Sequence, residues 1–321
     1  MPQPLPHTVG APTTQEAFRS ASLRLVLASV FFGIMAVGTK WLSMRLPGPQ
    51  IAAMRMAFGT LVFALLAART RALLRTSRPQ WLAARGLFGG LAVLIYFVSI
   101  AKVGVGLATV IHYSAPVWAA LLGRIVLKER MSLATAFALT LALAGVGLVM
   151  GPTLGEAWRV GAAGRVQPVW YLLSLASAFV SAAALVSVRA ARRASALGPP
   201  DHEWTLFGSF SLFGLLAALP FAVAPLGTWV WPSGLAWLVA VGVAAVSVLA
   251  QVIMTRALAH VPASAPGVAN QLSVVIATTG GVLWFNEHIT ALTLVGATMI
   301  VAGVLASLRG RPPVPVAAKA G

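Results

Sequence analysis

An all-α polytopic membrane protein, with ten transmembrane helices in two inverted five-helix repeats, is the architecture to expect from this sequence. Three observations lead there. Of 321 residues, 59% are hydrophobic and 9% charged, with a mean hydropathy of +0.89, whereas a soluble domain is about a quarter charged. Ten apolar runs of bilayer-crossing length follow one another through short links. Finally, residues 286–304, NEHITALTLVGATMIVAGV, restate the plan of residues 128–146, KERMSLATAFALTLALAGV, 158 positions earlier.

A helix needs about 20 apolar residues to cross roughly 30 Å of hydrocarbon, and each run can be taken in turn on that measure. Residues 1–21 are rich in Pro and Thr and read as a disordered tail. Run one, 22–46, carries Lys40 and Trp41; run two, 50–68, carries Arg55. Arginines 69, 71, 75 and 78 fill the next link. Run three, 81–101, holds Arg85, Gly86-x-x-x-Gly90 and Tyr96. Arg85 is one turn from the basic link and is expected to snorkel towards it, while small residues four apart permit close helix packing in lipid. Run four, 107–127, contains His112-Tyr113, Pro116 and Trp118. Pro116 has no N–H for the carbonyl of His112, so a hinge is expected there. Glu129 and Ser132 then open run five, 132–151, as helix caps.

The linker 152–167 separates the halves. Run six, 168–189, begins with Trp170, Tyr171, Ser174 and Ser177; run seven, 203–221, follows Asp201, which reads as its N-cap. Run eight, 234–258, contains Gln251; run nine, 264–285, contains Asn270-Gln271. Glu287 and Thr290 cap run ten, 290–308, and 309–321 form a second tail. Each half, 22–151 and 168–308, thus has five spans. Because five is odd, the second half must enter the membrane upside down relative to the first. At the same offset Thr140 meets Thr298, and Ala144-Gly145-Val146 meets Ala302-Gly303-Val304, without a gap. Lys and Arg concentrate in one alternate set of links and at the termini, which predicts a multi-pass bacterial inner-membrane protein with both termini cytoplasmic.

The stretch AKVGVGLATVIHYSAPVWAALLGRIVLKERMSLATAFALTLALAGVGLVM resembles the EamA-type repeat of the drug/metabolite transporter superfamily, through its small-residue loop, Ala115-Pro116, Glu129 and Gly145. The second copy is similar but has Ser273-Val274 in place of Ala115-Pro116. The resemblance spans roughly 22–308 and implies export of amino acids or related metabolites as a plausible activity.

The residues themselves narrow the function. A net charge of +17 does not point to nucleic acid, since the basic residues lie in short links between apolar runs. Without cysteine there is no disulfide framework or thiolate metal site, and no metal or cofactor is expected. Charges inside a span are costly and tend to face a cavity. By position, Lys40, Arg55 and His112 all lie roughly 8–9 Å below the outer surface. At the repeat offset His112-Tyr113 falls on Asn270-Gln271, so two polar pairs are expected on opposite walls of one central cavity. Trp41, Tyr96, Trp118, Trp170, Tyr171, Ser174, Ser177 and Gln251 are candidates to join them, several of the aromatics being equally suited to anchoring at the interface.

All six acids fall in tails, links or helix ends, which disfavours cationic solutes and favours one bearing a carboxylate. The reading is a non-enzymatic transporter whose partners are the lipid bilayer and a small-molecule substrate: amino acids, apolar and aromatic ones included, exported by alternating access without proton coupling. An organic-anion or sugar-phosphate carrier is one alternative; a membrane-embedded enzyme acting on lipids, with His112 as base, is another. Oligomeric state stays open, a monomer included.

Overall fold

The computed structural model describes residues 14–128, 168–192, 200–223, 229–261 and 265–286, with individual positions between 133 and 148 and between 291 and 302. Among these residues there is no strand. The long helices are α1 (Thr14–Ser43), α2 (Gly48–Arg69), α3 (Pro79–Val103), α6 (Pro168–Arg192), α7 (Glu203–Val223), α8 (Leu235–Ala257) and α9 (Ala265–Phe285). Two short helices, α4 (Val105–His112) and α5 (Ala115–Val126), occupy the fourth expected span. Helices α1, α2, α3, α6, α7 and α8 are each long and apolar enough to cross a membrane. The described positions within 133–148 and 291–302 are all helical, but spans five and ten fall mainly outside the described residues. So do Glu129, Ser132, Glu287 and Thr290, expected as caps.

One boundary differs from expectation. Residues 14–21, read as part of a disordered tail, form the first turns of α1, and Ala21 is fully buried. Glu16 lies in the first turn, where a negative charge favours the helix dipole, and Phe18 packs against the core.

The halves interlock as a pair related by exchange. Helix α1 packs on α8 and α9, as α6 packs on α3 and α5, while α2 packs directly on α7. The polar contacts set their directions. Gln50, at the start of α2, accepts a hydrogen bond from the Val230 N–H beyond the end of α7 at 3.2 Å and donates to the Val230 carbonyl. At the other end of this pair, Thr205 near the start of α7 donates to the Leu73 carbonyl just past α2, at 2.7 Å. These equivalent helices are antiparallel, so the repeats are inverted.

Close contact between the halves requires small residues. A Cβ on Gly90 would stand 2.4 Å from the Gly214 Cα, so α3 and α7 touch backbone to backbone. Gly104 alone joins α3 to α4, at φ 91°, a conformation strained for any L side chain. The outer surface is apolar, with Leu23, Ile125, Trp231 and Leu238 each at least 70% exposed. Lipid suits such a surface; water does not.

Candidate functional site

The fourth span is not continuous. After His112 the chain makes a turn through Tyr113 and Ser114 and resumes as α5, with Pro116 in its first turn. The Tyr113 N–H still reaches the Thr109 carbonyl at 2.9 Å, but the Ser114 N–H tightens onto the Ile111 carbonyl at 3.1 Å. The break occurs where Pro116 lacks the N–H that would continue the helix. A broken helix at membrane depth is tolerated where it lines a cavity.

It does so here. A cavity of about 60 Å3 lies between the halves, enough for several waters. Helices α1 to α9 all contribute to its wall. Its polar groups come from Arg55, Arg85, Tyr96, His112, Tyr113, Ser181, Gln251 and Asn270; Phe32, Met35, Leu185, Phe210 and Met254 supply much of the apolar lining. Six of its wall positions form three pairs at the repeat offset of 158: Val93 with Gln251, Tyr96 with Met254, and His112 with Asn270.

His112 stacks on Tyr96 with ring centroids 4.3 Å apart. Its Nδ1 lies 2.8 Å from Ser177 Oγ. Ser177 donates its own proton to the Ser174 carbonyl at 2.9 Å, so the His112–Ser177 bond requires the Nδ1–H tautomer. By the same reasoning the Tyr96 hydroxyl donates to Thr109 Oγ1, which itself donates to the Val105 carbonyl. Tyr113 hydrogen-bonds Ser273, and Ser273 donates to the Ser29 carbonyl at 2.6 Å. The rings are therefore held by α1, α3, α6 and α9 together.

Two guanidiniums face this site. Arg55 and Arg85 are each only 4% exposed. Arg55 donates through Nε to Ser247 Oγ, and Arg85 donates through Nη2 to Gln251 Oε1 at 2.8 Å. Both lie over Phe210, at 5.5 and 4.2 Å from its ring centroid. Both terminal nitrogens of Arg55, the Nε of Arg85 and the Oδ1 of Asn270 are enclosed without a hydrogen-bond partner. Among the described residues no carboxylate lines the cavity.

The expected snorkelling of Arg85 is corrected. Its guanidinium folds back over Gly89, where a Cβ would fall 2.1 Å from Nη1, and there it meets Gln251. Other candidates lie elsewhere. Lys40 is half-buried in the last turn of α1 and does not line the cavity. Trp41 lies beneath Arg45 at 3.7 Å, Trp170 beneath Lys102 at 5.2 Å, and Trp118 edge-on to Phe179 at 5.7 Å. Tyr171 and Ser174 are buried away from the cavity wall, and Ser177 acts on it through His112. The side chains of Pro116 and Gln271 are outside the described residues.

Hydrogen bonds also join the halves near the ends of the helices. On one face stands the Gln50–Val230 pair described above. On the opposite, basic face, Asp201 accepts from Thr76 Oγ1 at 2.9 Å and from the Ser77 N–H at 3.0 Å. Arg78 donates to the Ala190 and Ala191 carbonyls at the end of α6. Within the second half, Glu203 accepts from Arg256 at 2.8 Å and pairs with Arg192 at 3.4 Å. Asp201 is thus a tie between halves, not the N-cap expected of it. His202 takes that place, its Nδ1 accepting from the Trp204 N–H at 3.2 Å.

The model of the EamA-like transporter family matches the chain twice, over residues 19–151 and 168–309. The chain belongs to the EamA-like transporter family. It is a multi-pass membrane protein, and its relatives are named for transport. The pseudopaline exporter CntI of Pseudomonas aeruginosa is 29% identical over 298 residues, covering 92% of this chain and 98% of the relative. An uncharacterized transporter of Archaeoglobus fulgidus is 25% identical over 91% of this chain and 97% of its own. A solved crystal structure matches with a TM-score of 0.68 at 20% identity, covering 90% of this chain and 96% of that one, which shows a shared fold.

Proposed function

We propose that this protein exports small carboxylate-bearing solutes, amino acids and their derivatives foremost, across the bacterial inner membrane by alternating access. The observation that carries this is the cavity between inverted halves, whose described wall has two buried arginines and no acid. An uncompensated cation is costly in a low dielectric, and a carboxylate offers it bidentate hydrogen bonds. Phe32, Met35 and Phe210 would receive the apolar part of the solute. Inverted repeats around a central site commonly rock to expose it to each side in turn. The outward direction follows the name of the Pseudomonas aeruginosa relative. The basic face, with both termini, is the cytoplasmic one.

Transport runs down the solute gradient, because the described cavity contains no carboxylate to carry a proton through the cycle. An organic-anion or sugar-phosphate carrier is the second reading, and the position of Arg85 favours it. The geometry favours a lipid enzyme less. Ser177 gives its only proton to the Ser174 carbonyl and is not poised to yield it to His112. Uptake of a labelled amino-acid panel by proteoliposomes is the test. Saturable uptake above that of protein-free liposomes is expected; equal uptake across the whole panel would count against the reading.

A further inference from the structure

We infer that the solute carries two negative charges, as two carboxylates, one held by Arg55 and the other by Arg85. This rests on the carrier reading above and narrows it.

Charge is the first ground. Arginine stays protonated in proteins, and the cavity presents two of them with no acid among its described wall residues. A zwitterionic amino acid brings one carboxylate and one ammonium, adding no net negative charge, so both cations would stay uncompensated. A dicarboxylate neutralises both.

Donor geometry is the second. Arg55 is tied to Ser247 through Nε alone, leaving both terminal nitrogens enclosed and without a partner. That is a complete fork for one carboxylate. Arg85 spends Nη2 on Gln251 and leaves Nε unpaired. The two forks come from α2 and α3, and their protein partners, Ser247 and Gln251, both stand on α8. The Phe210 ring centroid lies 5.5 and 4.2 Å from the two guanidinium carbons, so both forks stand beside one apolar ring.

Asn270 provides a third contact. Its Oδ1 is enclosed and unpaired, and an amide oxygen accepts a hydrogen bond. A solute with an amine or amide N–H between its carboxylates would satisfy it. An acidic amino acid brings two carboxylates and an N–H; its ammonium leaves it one net negative charge, so succinate is the fuller match in charge and glutamate the fuller match in hydrogen bonds.

The test is thermal stabilisation of the purified full-length protein in detergent by succinate, L-glutamate, L-phenylalanine or glucose 6-phosphate at matched ionic strength. Glutamate and succinate are expected to stabilise at concentrations at least tenfold below phenylalanine. Arg55→Gln and Arg85→Gln should each abolish that preference. Both remove a buried cation, so each variant's own melting curve without solute serves as the check on folding. Stabilisation by phenylalanine at the same concentrations as glutamate would overturn the inference. So would protection by glucose 6-phosphate alone, which would mark a phosphate site. If neither dicarboxylate protects yet proteoliposomes exchange neutral amino acids, the two-carboxylate inference fails and the carrier reading survives.

Discussion

Arg85 shows how one residue's role depends on its neighbour. Its guanidinium occupies the space over Gly89, where a Cβ would sit 2.1 Å from Nη1. Gly89→Ala should therefore displace the charge and weaken solute affinity about tenfold, roughly 1.4 kcal/mol. The melting temperature should change little, since alanine is the better helix former. A competition assay in proteoliposomes checks this; unchanged affinity would show that the position of Arg85 is immaterial. Lys40→Ala should transport like the wild type, because Lys40 is not on the cavity wall. Both residues are basic and lie near span ends, and the sequence alone ranked them the wrong way round. It reports depth along a helix well and rotation about its axis poorly, above all where a helix is apolar on every side. Arg55, His112 and Asn270 were legible because they are polar groups in apolar runs, two of them at equivalent repeat positions. For Arg85 the available signal was a glycine four residues later, leaving room for a long side chain to fold inward.

Among the elements, the fourth span was read best. The missing N–H of Pro116 predicts a break after His112, and the chain turns there through Tyr113 and Ser114. For the described spans, boundaries also followed from hydropathy, within a few residues except at α1. The ties between elements were not legible, because they depend on loops that meet across the repeat. Asp201 is one such tie, only 4% exposed and holding Thr76 and Ser77. Asp201→Ala should weaken closure of the basic face by about 2 kcal/mol, a thirtyfold change in population. Ser181 lines the cavity of this cysteine-free chain. A Ser181→Cys reporter should then react roughly thirtyfold faster with an impermeant thiol reagent applied to the basic face. An unchanged rate would mean that Asp201 does not hold that face shut.

For the whole molecule, inversion explains why one chain carries the same plan twice. Helices α2 and α7 run antiparallel, so equivalent links lie on opposite faces. Single cysteines at Arg75 and Ser233, both exposed, test this in intact cells. The first should be shielded from an impermeant external reagent and the second labelled; labelling of both from outside would refute the orientation. The same architecture makes a demand on flux. A carrier with one cavity and two closures must return before it can move another solute, so its rate depends on what waits on the far side. The decisive experiment follows labelled solute efflux from proteoliposomes, with and without unlabelled solute outside, at zero pH gradient and with an imposed one. Efflux should saturate, accelerate severalfold when unlabelled solute is present outside, and be indifferent to the pH step. Linear efflux unaffected by external solute would indicate a pore, and accumulation driven by the pH step would show proton coupling; either would contradict a gradient-driven carrier that alternates between two faces.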